Sequence, residues 1–219
     1  NSQTAAAVLM VRPAGFRANP ETAGSNAFQE SPGEDTARSA REIQVLAERE
    51  FDGLAAALED AGVRVVCLDG GDDGTTPDAV FPNNWVSFHA DGTLVLYPMM
   101  APSRRRERRE ERLAERLAEA GFLVRRVIDL SAHEHANRFL EGTGSLVLDR
   151  VNHIAYACLS SRTQLDPMGD FAQQMFDNIQ EGRSIFAAAE LDRSRGNIEL
   201  ARSGFQEFLE KYPASEEAD

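Results

Sequence analysis

The sequence predicts a mixed α/β fold followed by an all-α C-terminal helical hairpin. Three observations carry this. Short apolar runs alternate with amphipathic helical runs as far as residue 165. Ala90-Asp91-Gly92 splits two apolar runs as a hairpin turn would. Beyond residue 165 strand-like runs stop, and two helix patterns remain, broken at Gly196-Asn197.

The elements follow in order. Residues 5–11 read as a buried strand ended by Pro13. A long polar loop runs from there to Thr36, a length that marks a segment as functional or disordered. Residues 37–61 read as an amphipathic helix with Ile43, Leu46, Phe51, Leu54 and Leu58 as its stripe and Gly62 as its stop. "VRVVCL" is a second strand, and "DGGDDGTTP" a turn cluster. "AVFPNNWVSFH" and "TLVLYPM" form the hairpin. "SRRRERREERLAERLAEAG" is a helix with Ser103 at its N-cap. Its "RRRERREER" portion, six arginines and three glutamates, reads as a solvated face rather than an anion site. "FLVRRVIDL", "GSLVLD" and "HIAYACL" supply three more strands.

Composition narrows the function classes. The 219 residues suffice for one core plus an appendage. A net charge of −13 disfavours nucleic acid or an anionic membrane as partner. No apolar run approaches the roughly 20 residues of a spanning helix. The start, "NSQTAAAVLMVRP", lacks the basic and long apolar regions of a signal peptide, so a cytoplasmic location is expected. Cys67 and Cys158 lie in apolar strand-like runs and read as buried free thiols rather than a disulfide. Residues 166–219 hold 12 acids and 5 bases, a net of −7. The expected division is a domain over 1–165 and a helical tail over 166–219.

Two stretches carry candidate chemistry. In "PDAVFPNNW", Asp78, Asn83 and Asn84 stand at the mouth of an apolar run. A carboxylate accepts from a planar guanidinium in a fork, and an amide both donates and accepts, so the set suits a guanidino or ureido group. The same residues can form a turn and a cap. In "FLEGTGSLVLDR", Glu141 precedes a Gly-containing turn. There the backbone can crowd a ligand, and the acid can orient an amine or take a proton. An ordinary tight turn before a strand reads equally well. His133 and His135 beside Glu134 have metal-like spacing, but two histidines and one acid in a loop fit a solvated loop better, and no metal is expected. His153 and Cys158, five apart on one strand, would face opposite sides and read as structural.

"LMVRPAGFRANPETAGSNAFQ", "PDAVFPNNWVSFHADGTLVLYPM" and "EGTGSLVLDR" together resemble the amidinotransferase and arginine-deiminase superfamily. The resemblance is closest to its citrulline-utilisation hydrolase branch and covers roughly residues 5–164. It implies a partial pentein, an α/β propeller of ββαβ-type units around a polar channel, of which this chain would supply about three of five. It also implies a small guanidino or ureido substrate, C–N hydrolysis releasing ammonia, and no cofactor. Asn83 and Asn84 stand where dimethylargininase-like members carry acids, and this part of the resemblance suggests a neutral ureido group or a less cationic substrate. Glu141 matches the family's catalytic glutamate. Asn26 and Phe28 fall in the loop that closes over substrate in relatives.

The family reaction runs through a cysteine nucleophile and a histidine, both far beyond the glutamate. After Glu141 this sequence has only His153 and Cys158, so weak or no activity is expected. The tail resembles a single tetratricopeptide unit of Tol–Pal-associated proteins, most specifically in "GFQEFLEKYPAS". One such repeat leaves its apolar face, here Phe205, Phe208 and Leu209, without stacked neighbours. The alternative function is therefore a non-catalytic scaffold that binds a protein partner or itself through these C-terminal helices.

Overall fold

In the computed structural model, residues 5–24, 39–70, 75–108, 110–150, 154–176 and 185–188 are described. Strands β1 (Ala7–Val11) and β2 (Arg64–Leu68) pair in parallel, with Leu9 opposite Val66 and Val11 opposite Leu68. A parallel pair needs a crossover, and helix α2 (Ala40–Asp60) provides it. The helix starts later than the expected residue 37 because a capping box fixes its N-cap at Ser39. Glu42 N–H donates to Ser39 Oγ at 3.3 Å, while Ser39 N–H donates to Glu42 Oε2 at 2.7 Å. Gly62, at φ +81°, ends it in the left-handed region where glycine is at ease.

The expected α2 stripe is not buried. No α2 residue is fully covered, and Val45 and Leu54 are each 55% exposed. The helix is instead tied at its flank, where Arg12 Nη1 and Nη2 donate to Asp52 Oδ1 at 2.8 and 2.7 Å. The Arg12 guanidinium also lies over the Phe51 ring at 5.4 Å.

Strands β3 (Val86–Phe88), β4 (Thr93–Leu96) and β5 (Arg126–Asp129) form a sheet in the order β3-β4-β5. The β3–β4 turn is the expected hairpin, with Gly92 at φ +86° and Asp91 accepting from both Thr93 N–H and Thr93 Oγ1. Three expected elements change. "AVFPNN" is not strand: residues 77–80 turn, and Pro82–Asn84 form a single 3-10 turn. Pro82 removes a donor, and the two asparagines favour a turn. The arginine-rich helix is interrupted, giving α3 (Pro102–Arg105) and α4 (Glu110–Glu119). Ser103 is not the N-cap but sits inside α3, because Pro102 takes the first helical position after Ala101. The strand expected to start at Phe122 shortens to β5, since Phe122 N–H closes the helix end onto Leu117 C=O.

The next elements are the turn α5 (Gly142–Ser145), β6 (Leu146–Asp149), β7 (Ile154–Ala157), α6 (Leu165–Phe176) and β8 (Ile185–Ala188). β6 pairs antiparallel with β7, and β8 adds in parallel on the far side of β7. The core here joins Tyr97, Leu130, Leu140, Leu146, Ala157 and Met168, among others. Tyr97 and Phe171 meet at 5.9 Å between ring centroids.

The reading that strands stop at residue 165 fails at β8. Its Ile-Phe-Ala-Ala run sits in an alanine-rich context that reads as helix, and its extended state follows from pairing with β7. Met168, Phe171 and Ala172 of α6 lie in the same core as β6 and β7. The Gly196-Asn197 break and the apolar Phe205, Phe208 and Leu209 lie outside the described residues.

The chain divides into two compact units. One comprises 1–94 and 101–127, the other 95–100 and 128–219. Among the described residues no helix is long and apolar enough to cross a membrane. Cys67 and Cys158 are free thiols but half-buried rather than buried. Cys67 points to the face of β2 opposite Val66 and Leu68, which takes it off the well-covered side.

Candidate functional site

Asp78 begins the candidate cluster in the first unit, and its carboxylate is already engaged. Oδ2 accepts from Asn19 Nδ2 at 2.7 Å and from Thr22 Oγ1 at 3.4 Å. Asn19 is 1% exposed, and its Nδ2 also donates to Ser103 Oγ at 3.0 Å. Its Oδ1 caps the short helix α1 (Pro20–Ala23) by accepting from Glu21 N–H. Ser103 N–H donates to Glu21 Oε2 at 2.7 Å, and this backbone bond holds the Glu21 carboxyl below the usual carboxylate range. Asp78 thus clamps the segment after β1 onto the turn before β3. That segment continues into Asn26 and Phe28, which lie outside the described residues.

Asn84 sits on the 3-10 turn above a buried ion pair. Arg104 Nη1 and Nη2 each donate to Asn84 Oδ1 at 3.2 Å. Arg104 Nη2 also donates to Phe81 C=O at 3.0 Å, and its Nε to Glu107 Oε2 at 2.8 Å. The Arg104 and Glu107 side chains are only 4% and 1% exposed. The solvated-face reading of the arginine run is therefore wrong at these two positions. The broken helix turns Arg104 inward, and a charge leaves water only when paired and hydrogen-bonded. Asn83 and Phe81 are exposed beside Asn84. The two asparagines thus lie on an open face, over a base fixed by Arg104.

Glu141 lies in the second unit and is 3% exposed. Its Oε1 accepts from Met100 N–H and its Oε2 from Arg162 Nη1, each at 3.2 Å. Glu141 N–H in turn donates to Arg162 C=O at 3.2 Å. Gly142 follows at φ +43°, a backbone state that favours glycine and lets the chain turn away behind the carboxylate. Glu141 is thus a buried carboxylate held by one cation and one amide, a form suited to positioning a polar substrate atom.

Glu134 and His133 make contacts within their own unit, while His153 lies outside the described residues. Glu134 Oε1 accepts from Met99 N–H at 2.7 Å, and His133 Nε2 meets Asp170 Oδ2 at 2.8 Å. The 3-10 segment Ser131–Ala136 is therefore a docking turn for its own unit rather than a solvated loop. Burial pushes the Cys67 thiol up, which keeps it protonated at neutral pH. A cavity of about 160 Å³ in the first unit is lined by Val11, Leu68, Thr76 and Trp85. It is not lined by Asp78, Asn83 or Asn84.

Sequence reasoning missed Asn19, Ser103, Arg104, Glu107 and Arg162. Pro102 followed by an arginine with a glutamate three residues later was the available signal for the buried pair. Nothing local marks Asn19 or Arg162, whose partners are 59 and 21 residues away.

A mixed α/β chain built from these units, with a clamped acid-amide turn and a buried glutamate, matches the pentein fold. Among solved structures, the N-terminal domain of ArgZ bound to product is similar at TM-score 0.56 and 19% identity, covering 84% of this chain and 57% of that one. ArgZ is described there as an arginine dihydrolase from the ornithine-ammonia cycle in Cyanobacteria. A dimethylarginine dimethylaminohydrolase adduct with S-methyl-L-thiocitrulline is similar at TM-score 0.52 and 17% identity, covering 86% and 62%. The chain thus spans about three fifths of each of these two solved chains. Comparison with curated proteins finds no match. The family model for N,N dimethylarginine dimethylhydrolase, eukaryotic, matches residues 12–198, and the chain belongs to that family. The match runs past residue 165, through α6 and β8.

Proposed function

We propose that this chain carries the substrate-holding part of a hydrolase for guanidino or ureido C–N bonds. In the complete reaction water replaces a nitrogen at the guanidino or ureido carbon, and ammonia or an amine leaves. The observation that supports this best is Glu141, a buried carboxylate fixed between Arg162 and the Met100 amide in a chain of the dimethylarginine dimethylhydrolase family. Glu141 would orient the reacting group. Asn83 and Asn84, with Asn26 and Phe28, would contact the substrate, and Asp78 would act by clamping the loop that bears the latter two. Within these 219 residues the cysteine after Glu141 is Cys158, which directly follows strand β7, so turnover by this chain alone would be weak or absent. The test is ammonia release from citrulline, arginine, agmatine and dimethylarginine against a Glu141→Ala control. Release at the control level is expected. Robust release abolished by Cys158→Ala would overturn the view that Cys158 is structural.

A second reading assigns the segment after residue 165 to partner binding or self-association. The apolar Phe205, Phe208 and Leu209 of its tetratricopeptide-like stretch favour it. Sedimentation velocity decides: a strictly monomeric chain across a wide concentration range would contradict self-association.

A further inference from the structure

Arg104 determines which end of Asn84 is left for a ligand. Its Nη1 and Nη2 both lie 3.2 Å from Asn84 Oδ1. A guanidinium donates and cannot accept, so the amide atom facing it must be the oxygen. The carbonyl end of Asn84 is therefore occupied by two donors. Its NH2 end has no protein acceptor among the described residues, and the residue is half-buried rather than covered. Arg104 cannot swing into water to release the amide, because it is 3% exposed and bonded to Glu107 and to Phe81 C=O.

We infer that Arg104 is a positioning residue that turns Asn84 into a hydrogen-bond donor, so that this position selects a neutral ureido oxygen over a guanidinium. The inference rests on the substrate class proposed above and narrows it. A guanidinium presents only N–H groups, and against the Asn84 NH2 it meets donor with donor. A ureido group places an acceptor oxygen at the matching position. A carboxylate at residue 84 would reverse this, because it accepts only.

The test is calorimetric titration of the full chain with L-citrulline and L-arginine, which differ at the terminal group by oxygen against nitrogen. Citrulline is expected to bind at least about tenfold more tightly, because a mismatched polar group in a fixed site is left unpaired. Asn84→Asp is expected to shift the preference towards arginine. Arg104→Lys keeps the charge without the fork and is expected to narrow the ratio even where thermal melting shows a folded protein. Equal affinities, or a preference for arginine, would overturn the inference and leave the hydrolase reading intact. So would a ratio unmoved by Asn84→Asp. Binding of neither compound by folded protein would overturn both.

Discussion

Arg104 and Glu107 show how a single residue pair can invert the meaning of a charged run. Each removes the other's charge from water, so deleting one leaves a buried ion uncompensated. Arg104→Ala should cost about 3–5 kcal/mol, measured by urea denaturation. A loss within that of an ordinary surface substitution would show that the pair is solvated after all. Gly70 makes a second single-residue case. A Cβ there would lie 2.1 Å from Arg12 C=O, too close for any side chain without backbone movement. Gly70→Ala should therefore destabilise by about 1–3 kcal/mol or more, against a gain of about 0.5–1 kcal/mol for Gly53→Ala inside α2, where a Cβ meets nothing and alanine is the better helix former. Neither effect was readable from sequence. The charge run looked amphipathic, and Gly70 lay in a cluster where any glycine would pass for a turn.

Among the elements, strands and helices whose identity rests on local pattern were found, and those that rest on distant partners were not. β1, α2, β2 and the β3–β4 hairpin appear where periodicity, the α2 stop and the Asp91-Gly92 turn placed them. β8 was missed because its alanines favour helix and only β7 makes it a strand. The stretch at 79–84 was read as strand because it is apolar, while Pro82 and the asparagines made it a turn. The site divides the same way. Glu141 was a candidate from its Gly-containing turn, whereas the partners that fix its side chain, Arg162 and the Met100 amide, come from elsewhere in its unit. The Asn19–Glu21–Ser103 cluster also makes a prediction for pH. The Glu21 carboxyl is held below its ordinary range by the Ser103 amide, so its folded pKa is lower than its unfolded one. Its contribution is therefore present above the ordinary glutamate range and lost as pH falls through the folded value. Hydrogen exchange at the Ser103 amide should accelerate relative to the rest of the unit as pH drops below that range. In Glu21→Gln this pH-dependent step should be absent.

For the molecule as a whole, the family model matches residues 12–198, while the chain spans only about three fifths of the two solved chains compared above. Apolar side chains stand open on elements that otherwise fold normally, among them Leu123, 70% exposed, and Val147, 69% exposed. Exposed apolar area favours association. The sedimentation coefficient should therefore rise with protein concentration, and a constant value would show that these faces are tolerated singly. Whether the asparagine turn takes a ureido ligand is best measured by a heteronuclear NMR titration of the full chain with citrulline. The account predicts saturable shifts at the Asn83 and Asn84 side-chain amides. Shifts confined to other regions, or none in a folded sample, would contradict it.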